Sequence, residues 1–324
     1  MVAQRIRTIF SAILFSSVAF SQNVETPSAR SLKVDVELVT VDVSVTDAEG
    51  RHVSGLGRDY FRLWEDRIEQ KIEYFAIEDL PITVGIILDV SASMNSNLAR
   101  AKEAALTFLS SGNRDDEYFL VQFSDRPKLV QEFTSDIAKL KAPLTVMSAK
   151  GSTSLYDAVY LALEKMGRAE NPRKALLIIS DGEDNRSRYS FSEVKRFAAE
   201  KDVKIFSIGI GGGFLPQIGS SMLGGALLPG EFRAGPWQLE ELANVTGGEA
   251  YLPQSAKSLD EICRRIALTL KSQYSLGYRS TNHKKDGAWR KLTLKLDSPN
   301  GAPRLYVKFR KGYYAATSGA VPER

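Results

Sequence analysis

Two patterns of apolar and polar positions divide the chain. In the first, apolar residues alternate with polar ones, the period of a half-buried strand. Val34, Val36 and Leu38 follow it, and Val39, Val41, Val43 and Val45 continue it on the opposite parity. One extra residue in a strand swaps its faces, so the flip at Leu38/Val39 predicts a β-bulge. Residues 47–50 (Asp-Ala-Glu-Gly) read as a turn, and 60–64 and 68–75 as further strands around Glu65-Asp66-Arg67. Alternation returns late in the chain, at 274–278, at Leu292, Leu294 and Leu296, and at Leu305, Val307 and Phe309, with hairpin signals at 283–287 and 298–301.

Between these stretches, apolar runs alternate with segments of 3.6 periodicity, which predicts α/β structure with a mostly parallel sheet. The run 82–88 is a buried strand, followed by a helix near 97–110 with Leu98, Ala101, Ala105 and Phe108 on one face. A strand at 117–124 turns through Ser124-Asp125-Arg126-Pro127 into 128–133, too tightly for anything but an antiparallel pair. A weak helical stretch covers 135–147. Ser154 with Asp157 fits a capping box opening a helix that carries Leu155, Ala158, Ala162 and Met166 on one face. The strand 175–179, a helix capped by Ser190 with Glu193, and the strand 203–210 follow. Residues 211–236 form a long Gly-rich loop with apolar Phe214, Met222, Leu223, Leu227 and Leu228, and both a contact surface and a flexible insertion fit its length. A helix near 237–246 stops at Gly247-Gly248, and Tyr251 and Leu252 make a short strand. Ser258 with Glu261 opens a last helix along Leu259, Ile262, Ile266 and Leu270.

Neither alternating half buries much alone, so residues 31–80 and 273–315 are expected to pair as one β-sandwich-like module around the α/β domain at 81–272. Two separate small β units are the rival arrangement. Residues 1–21 have the layout of a secretory signal, with Arg5 and Arg7 ahead of the apolar run 9–20 and small residues at Ala19 and Ser21. An uncleaved N-terminal anchor is the alternative. Residues 22–30 are a polar linker and 316–324 a tail. No later apolar stretch approaches spanning length, so the expectation is an exported protein, periplasmic or extracellular. The formal net charge of +4 includes Arg5 and Arg7, and no basic cluster with interleaved aromatics supports nucleic-acid binding. The single cysteine, Cys263, excludes an intrachain disulfide and falls on a helix's apolar face, where a buried inert thiol is expected.

Chemistry concentrates where strands of the α/β part end. In an open α/β sheet, sites form outside the carboxyl ends of the strands. Asp89, Ser91 and Ser93 follow the strand 82–88, Thr153 precedes a helix, and Asp181 follows the strand 175–179. All five side chains offer oxygen, which suits Mg²⁺, Mn²⁺ or Ca²⁺ and disfavours zinc. Two carboxylates balance a divalent charge, and three neutral hydroxyls leave the ion short of electrons, so a remaining position would accept a carboxylate from a partner. Singly, each residue reads as a cap or turn. Their joint occurrence in the right order favours a metal site.

Asp89-x-Ser91-x-Ser93, Gly151-Ser-Thr153-Ser-Leu-Tyr-Asp-Ala158 and Ser180-Asp181-Gly182 resemble the three loops of the metal-ion-dependent adhesion site of a von Willebrand factor type A (VWA) domain. The resemblance covers about residues 80–272. It implies a Rossmann-like fold, helices on both faces of the sheet, one antiparallel edge strand, and Mg²⁺ or Mn²⁺ bridging to an acidic residue of a protein ligand. In that family the Ser and Thr hydroxyls contact the metal and the two acids act partly through water. The flanking segments 39–47, 273–278 and 310–314 are similar to exported VWFA-related proteins of Acidobacteria, although Glu65-Asp66-Arg67 departs from the Glu-Asp-Gly expected there.

The leading expectation is therefore a metal-dependent protein-binding module for adhesion or scaffolding, not an enzyme. A helper subunit of a secretion or surface assembly is the second reading. A hydrolase is the third: a haloacid-dehalogenase-like phosphatase would need its second acid at Ser91. A serine hydrolase would need a base, but His52 and His283 lie in turns of the β module and no G-x-S-x-G is present. Gly209-Ile-Gly211-Gly-Gly213 lacks the third spaced glycine of a dinucleotide site.

Overall fold

The computed structural model describes residues 38–78, 80–210, 236–253, 255–297 and 304–317. The expected signal 1–21, the linker 22–30, most of the Gly-rich loop, the hairpin at 298–301 and most of the tail lie outside the described residues.

The central layer is a six-stranded sheet. Its strands are β5 (Ile82–Asp89), β6 (Glu117–Phe123), β7 (Pro127–Thr134), β8 (Arg173–Ser180), β9 (Lys204–Gly209) and β10 (Ala250–Tyr251), in the order β10-β9-β8-β5-β6-β7. All neighbours are parallel except the edge pair β6–β7. The apolar runs follow from burial on both faces. Ile82, Val84, Ile86 and Leu88 of β5 point into the core under α1 (Leu98–Ser110), α2 (Ile137–Val146) and α6 (Ala256–Lys271). Ile87, with Leu176 and Ile178 of β8, points into the core under α3 (Leu155–Met166), α4 (Phe191–Glu200) and α5 (Pro236–Thr246). Each of these fully buried aliphatic side chains stabilises the fold by roughly 1.5–3 kcal/mol. Cys263 is buried under α1, its thiol against the Ala104 carbonyl, and burial pushes its pKa up to about 12, so it is inert as expected. The cap of α6 differs from expectation: Ser255 and Ser258 make the reciprocal box, so the helix begins at Ala256 rather than after Ser258.

The remaining strands form two four-stranded sheets around a second core. One has the order β13-β1-β11-β4, from β13 (Tyr306–Lys308), β1 (Leu38–Thr46), β11 (Gln273–Arg279) and β4 (Ile72–Glu78). The other has the order β14-β12-β2-β3, from β14 (Gly312–Tyr314), β12 (Trp289–Leu296), β2 (Phe61–Glu65) and β3 (Ile68–Gln70). Each sheet combines strands from before and after the central layer, alternating in the first sheet and side by side as pairs in the second. Val41, Val43, Phe61 and Leu63 share their core with Tyr274, Leu276, Leu292 and Leu294, so the two alternating stretches pair with each other and two separate β units are ruled out.

Two details depart from expectation. The stretch 68–75 is not one strand: it breaks at Lys71, and β3 and β4 belong to different sheets. At the end of β3 the Gln70 side-chain amide donates to Thr281 Oγ1 and accepts the Thr281 N–H. From Leu38 onward β1 runs in regular register with β11, so no bulge interrupts that pairing at Leu38/Val39, and Val34 and Val36 lie outside the described residues; a register shift lies instead between β11 and β4, at Gly277/Tyr278. The Glu65-Asp66-Arg67 turn holds both Asp66 (φ 46°) and Arg67 (φ 72°) in the left-handed region. That costs Arg67 on the order of 1–2 kcal/mol relative to glycine. Reciprocal 2.9 Å hydrogen bonds between Asp66 and the Lys291 backbone hold it there.

Candidate metal centre

Asp89 is the last residue of β5 and Ser180 the last of β8. The parallel register places Leu88 beside Ile179, so the two side chains emerge together at the carboxyl edge of the sheet. Ser180 Oγ donates to Asp89 Oδ2 at 2.6 Å and accepts the Gly182 N–H at 2.9 Å, while Asp89 Oδ1 accepts the Ser91 N–H at 2.9 Å. Asp89 is wholly buried. That burial raises its pKa to about 6, with the charge of nearby Asp181 adding to the rise and the Ser180 and Ser91 hydrogen bonds opposing it. A desolvated carboxylate with a second carboxylate beside it and only neutral donors in hydrogen-bond contact is a position that a cation would relieve.

Past Asp89 the chain makes a short 3-10 turn, Ala92–Met94, anchored by Val90 and Met94 in the core. Ser91 is buried and Ser93 exposed, with their hydroxyl oxygens 2.9 Å apart. Adjacent oxygens around an octahedral ion with bonds of about 2.0–2.1 Å lie about 2.9 Å apart, so the pair already has the spacing of two neighbouring ligands.

The loop carrying Thr153 is fastened to this turn. Ala92 N–H donates to the Gly151 carbonyl and Lys150 N–H to the Val90 carbonyl. Gly151 sits at φ +79° with the Asp125 carboxylate packed where a side chain would begin, and Asp125 accepts the Ser152 N–H. Thr153 is buried, its N–H donating to Asn185 Oδ1 and its carbonyl accepting from the backbone of Asn185 and Arg186. Asp181 is half-buried and accepts the Glu183 N–H. All three expected segments therefore meet at one edge of the sheet.

The Ser154/Asp157 capping box does not form. Ser154 Oγ donates instead to the Ser124 carbonyl, and Asp157 accepts from the backbone of Arg188 and Tyr189 and from the Arg188 guanidinium. The start of α3 is capped from a distant loop: Asp184 accepts the Tyr156 N–H and Ser187 Oγ the Asp157 N–H. Ser180 enters the sequence reading only as part of a motif with no role of its own, and Asn185, Asp184 and Ser187 not at all, yet they set the positions of Asp89, Thr153 and α3. A serine directly before Asp181 at the end of an apolar strand was the available signal for Ser180.

The candidate donor set is two carboxylates and three hydroxyls. Among the described residues no three His, Cys, Asp or Glu side chains are grouped to hold a metal ion. His52 bridges to Thr46 beside β1, in the β-sandwich strands rather than at this edge.

Residues 84–183 match the von Willebrand factor type A domain family, and the six-stranded α/β layer has the fold of that domain. An uncharacterized protein of Borreliella burgdorferi is 27% identical over 178 residues, covering 51% of this chain and 52% of the relative. A UPF0353 protein of Mycolicibacterium paratuberculosis is 26% identical over 225 residues, covering 64% of each. The chain thus spans about half the length of the first relative and somewhat under two thirds of the second. The crystal structure of the conserved hypothetical protein BatB from Bacteroides thetaiotaomicron aligns with a TM-score of 0.46 at 22% identity, over 59% of this chain and 100% of that one.

Proposed function

We propose that this chain is an exported protein-binding protein whose VWA domain uses a divalent ion, Mg²⁺ or Mn²⁺, to recognise an acidic side chain on a partner. In this reading Asp89, Ser91, Ser93, Thr153 and Asp181 hold the ion. When bound, it supplies an electropositive position open to a partner's carboxylate. The chain's own residues do the positioning. Ser180 orients Asp89, the 3-10 turn holds Ser91 beside Ser93, and Asn185 fixes the backbone of Thr153. The observation that carries the reading is the Ser91–Ser93 oxygen pair at 2.9 Å next to a buried Asp89 that has Asp181 as an electrostatic neighbour. In this reading the oxygens of Asp89 and Asp181 are committed to the ion, which makes the edge a binding site rather than a catalytic one.

The organisation that goes with this is a signal at 1–21, a linker at 22–30 and a VWA domain at 81–272 carried on a β module built from 31–80 and 273–315. Mg²⁺ is expected to raise the melting temperature of the wild type in a saturable way, and Asp89→Ala to abolish the rise while leaving the apo protein folded. An equal Mg²⁺ response in the variant overturns the assignment.

A further inference from the structure

At the end of the central sheet opposite the candidate metal centre lies a small cavity of about 20 Å³. Its wall includes Arg173, Lys204 and Arg310, with Asp42, Asp202 and Gln273. Arg173 and Lys204 are the first residues of β8 and β9, Gln273 is the first of β11, and Arg310 lies between β13 and β14. The cavity is therefore the seam between the six-stranded sheet and the β-sandwich strands.

The charges at this seam do not balance. Arg173 and Lys204 are 4% and 9% exposed, and the Arg310 side chain 17%. Of the two acids, Asp202 is 72% exposed and so screened by solvent, although it pairs with Arg310 at 3.2 Å. Asp42 offsets one of the cations while also accepting the Ser275 hydroxyl at 2.7 Å, so the cations still outnumber the acids. Lys174 adds a further cation to the wall. Arg173 spends its terminal nitrogens on the Lys271 and Gln273 carbonyls, and Lys204 donates to Gln273 Oε1. Arg310 spends its own on Asp202 and the Thr40 carbonyl. The Nε–H groups of Arg173 and Arg310 are both buried and have no hydrogen-bond partner among the described residues. Buried cations without full compensation destabilise the fold, and an orphaned buried donor adds to that cost.

We propose that this cavity binds one small monovalent anion of halide size, chloride in ordinary salt, which completes the seam. The small free volume suits a compact occupant such as a halide better than a tetrahedral oxyanion. Two unpaired guanidinium N–H groups and a lysine ask for an acceptor carrying negative charge, which water supplies only in part. The site is distinct from the oxygen-lined edge and does not depend on a metal there.

The test uses the full chain dialysed into sodium gluconate, with chloride titrated in at constant ionic strength. Binding to the folded state alone stabilises as RT ln(1 + [L]/Kd), so the melting temperature is expected to rise in equal steps for each tenfold increase in chloride above Kd. Crystals grown in sodium bromide are expected to show one anomalous peak in the cavity. Lys204→Met is expected to lose the chloride increment but keep the response to magnesium acetate. Should that variant fail to fold, the wild-type titration and the bromide peak decide. Coincident melting curves in chloride and gluconate overturn the proposal, as does a cavity holding only water. A bromide peak without any chloride dependence in solution marks an adventitious ion only and overturns it equally.

Discussion

Ser180→Ala tests the link between the sheet and the candidate metal centre. The substitution keeps the strand but removes one hydroxyl with two partners: Asp89 Oδ2 at 2.6 Å and the Gly182 N–H at 2.9 Å. A hydrogen bond to a charged group contributes about 1.5–3 kcal/mol, and a buried donor left unpaired costs about 1–3 kcal/mol. The two effects share an atom and overlap, so the expected loss in the metal-free protein is on the order of 3 kcal/mol. Urea unfolding in EDTA reads it. In metal the consequence is different in kind. Asp89 would be free to rotate away from Ser91, and losing the hydrogen bond that orients a ligand typically costs 10–100-fold in affinity, about 1.4–2.7 kcal/mol. Calorimetric titration with Mn²⁺ measures that loss. A variant that loses stability yet binds Mn²⁺ as tightly as wild type would refute the claim that Ser180 orients a metal ligand. A variant unchanged in both would refute the energetic value given to the 2.6 Å contact itself.

Other perturbations probe the scaffold. Glu65 is buried and accepts from Tyr278 Oη at 2.6 Å, Tyr313 Oη at 2.8 Å and Ser280 Oγ at 2.6 Å, so Tyr278→Phe is expected to cost about 1.5–3 kcal/mol in chemical denaturation. Lys204 has its pKa lowered to about 8 by burial, with Arg173 and Arg310 lowering it further and Asp42 and Asp202 opposing. Between about pH 8 and the ordinary lysine value the unfolded chain holds a proton that the folded chain has released, so in gluconate buffer stability is expected to rise with pH across that window, by on the order of 3 kcal/mol, and Lys204→Met to flatten the rise. A Cβ at Gly248 would lie 2.0 Å from the Ile205 carbonyl oxygen, so Gly248→Ala is expected to push β9 and the end of α5 apart and destabilise by about 1–3 kcal/mol or more, read as a lowered denaturation midpoint.

Local pattern carried most of the fold. The apolar run of β5, the spacing of Leu98, Ala101, Ala105 and Phe108 on α1, and the Ser190–Glu193 box are set by neighbours in sequence, and the structure holds them where periodicity placed them. The five candidate oxygen donors could be named because they flank elements that the pattern marks, Asp89, Ser91 and Ser93 at or after β5, Asp181 after β8 and Thr153 before α3. What escaped was long-range. Ser154 reads as a cap locally, but the Ser124 carbonyl competes for its hydroxyl and a loop some thirty residues on caps the helix instead. Ser180 meets Asp89 only because β8 lies beside β5. Arg173, Lys204 and Arg310 look like ordinary solvated charges until the two layers meet over them.

The position of β11 between β1 and β4 bears on how the chain folds. Tyr274 Oη donates to the Val53 carbonyl across 221 residues, and β11 joins two strands that come well before it in the chain. Loop closure over that span is slow, whereas the six-stranded layer is built from a contiguous stretch of chain. Until β11 docks, β1 and β4 therefore wait with open edges, the state most prone to pairing with another chain. Substitutions that slow the docking of β11 are expected to raise the fraction of chain lost to aggregate on refolding, whatever the stability of the finished fold.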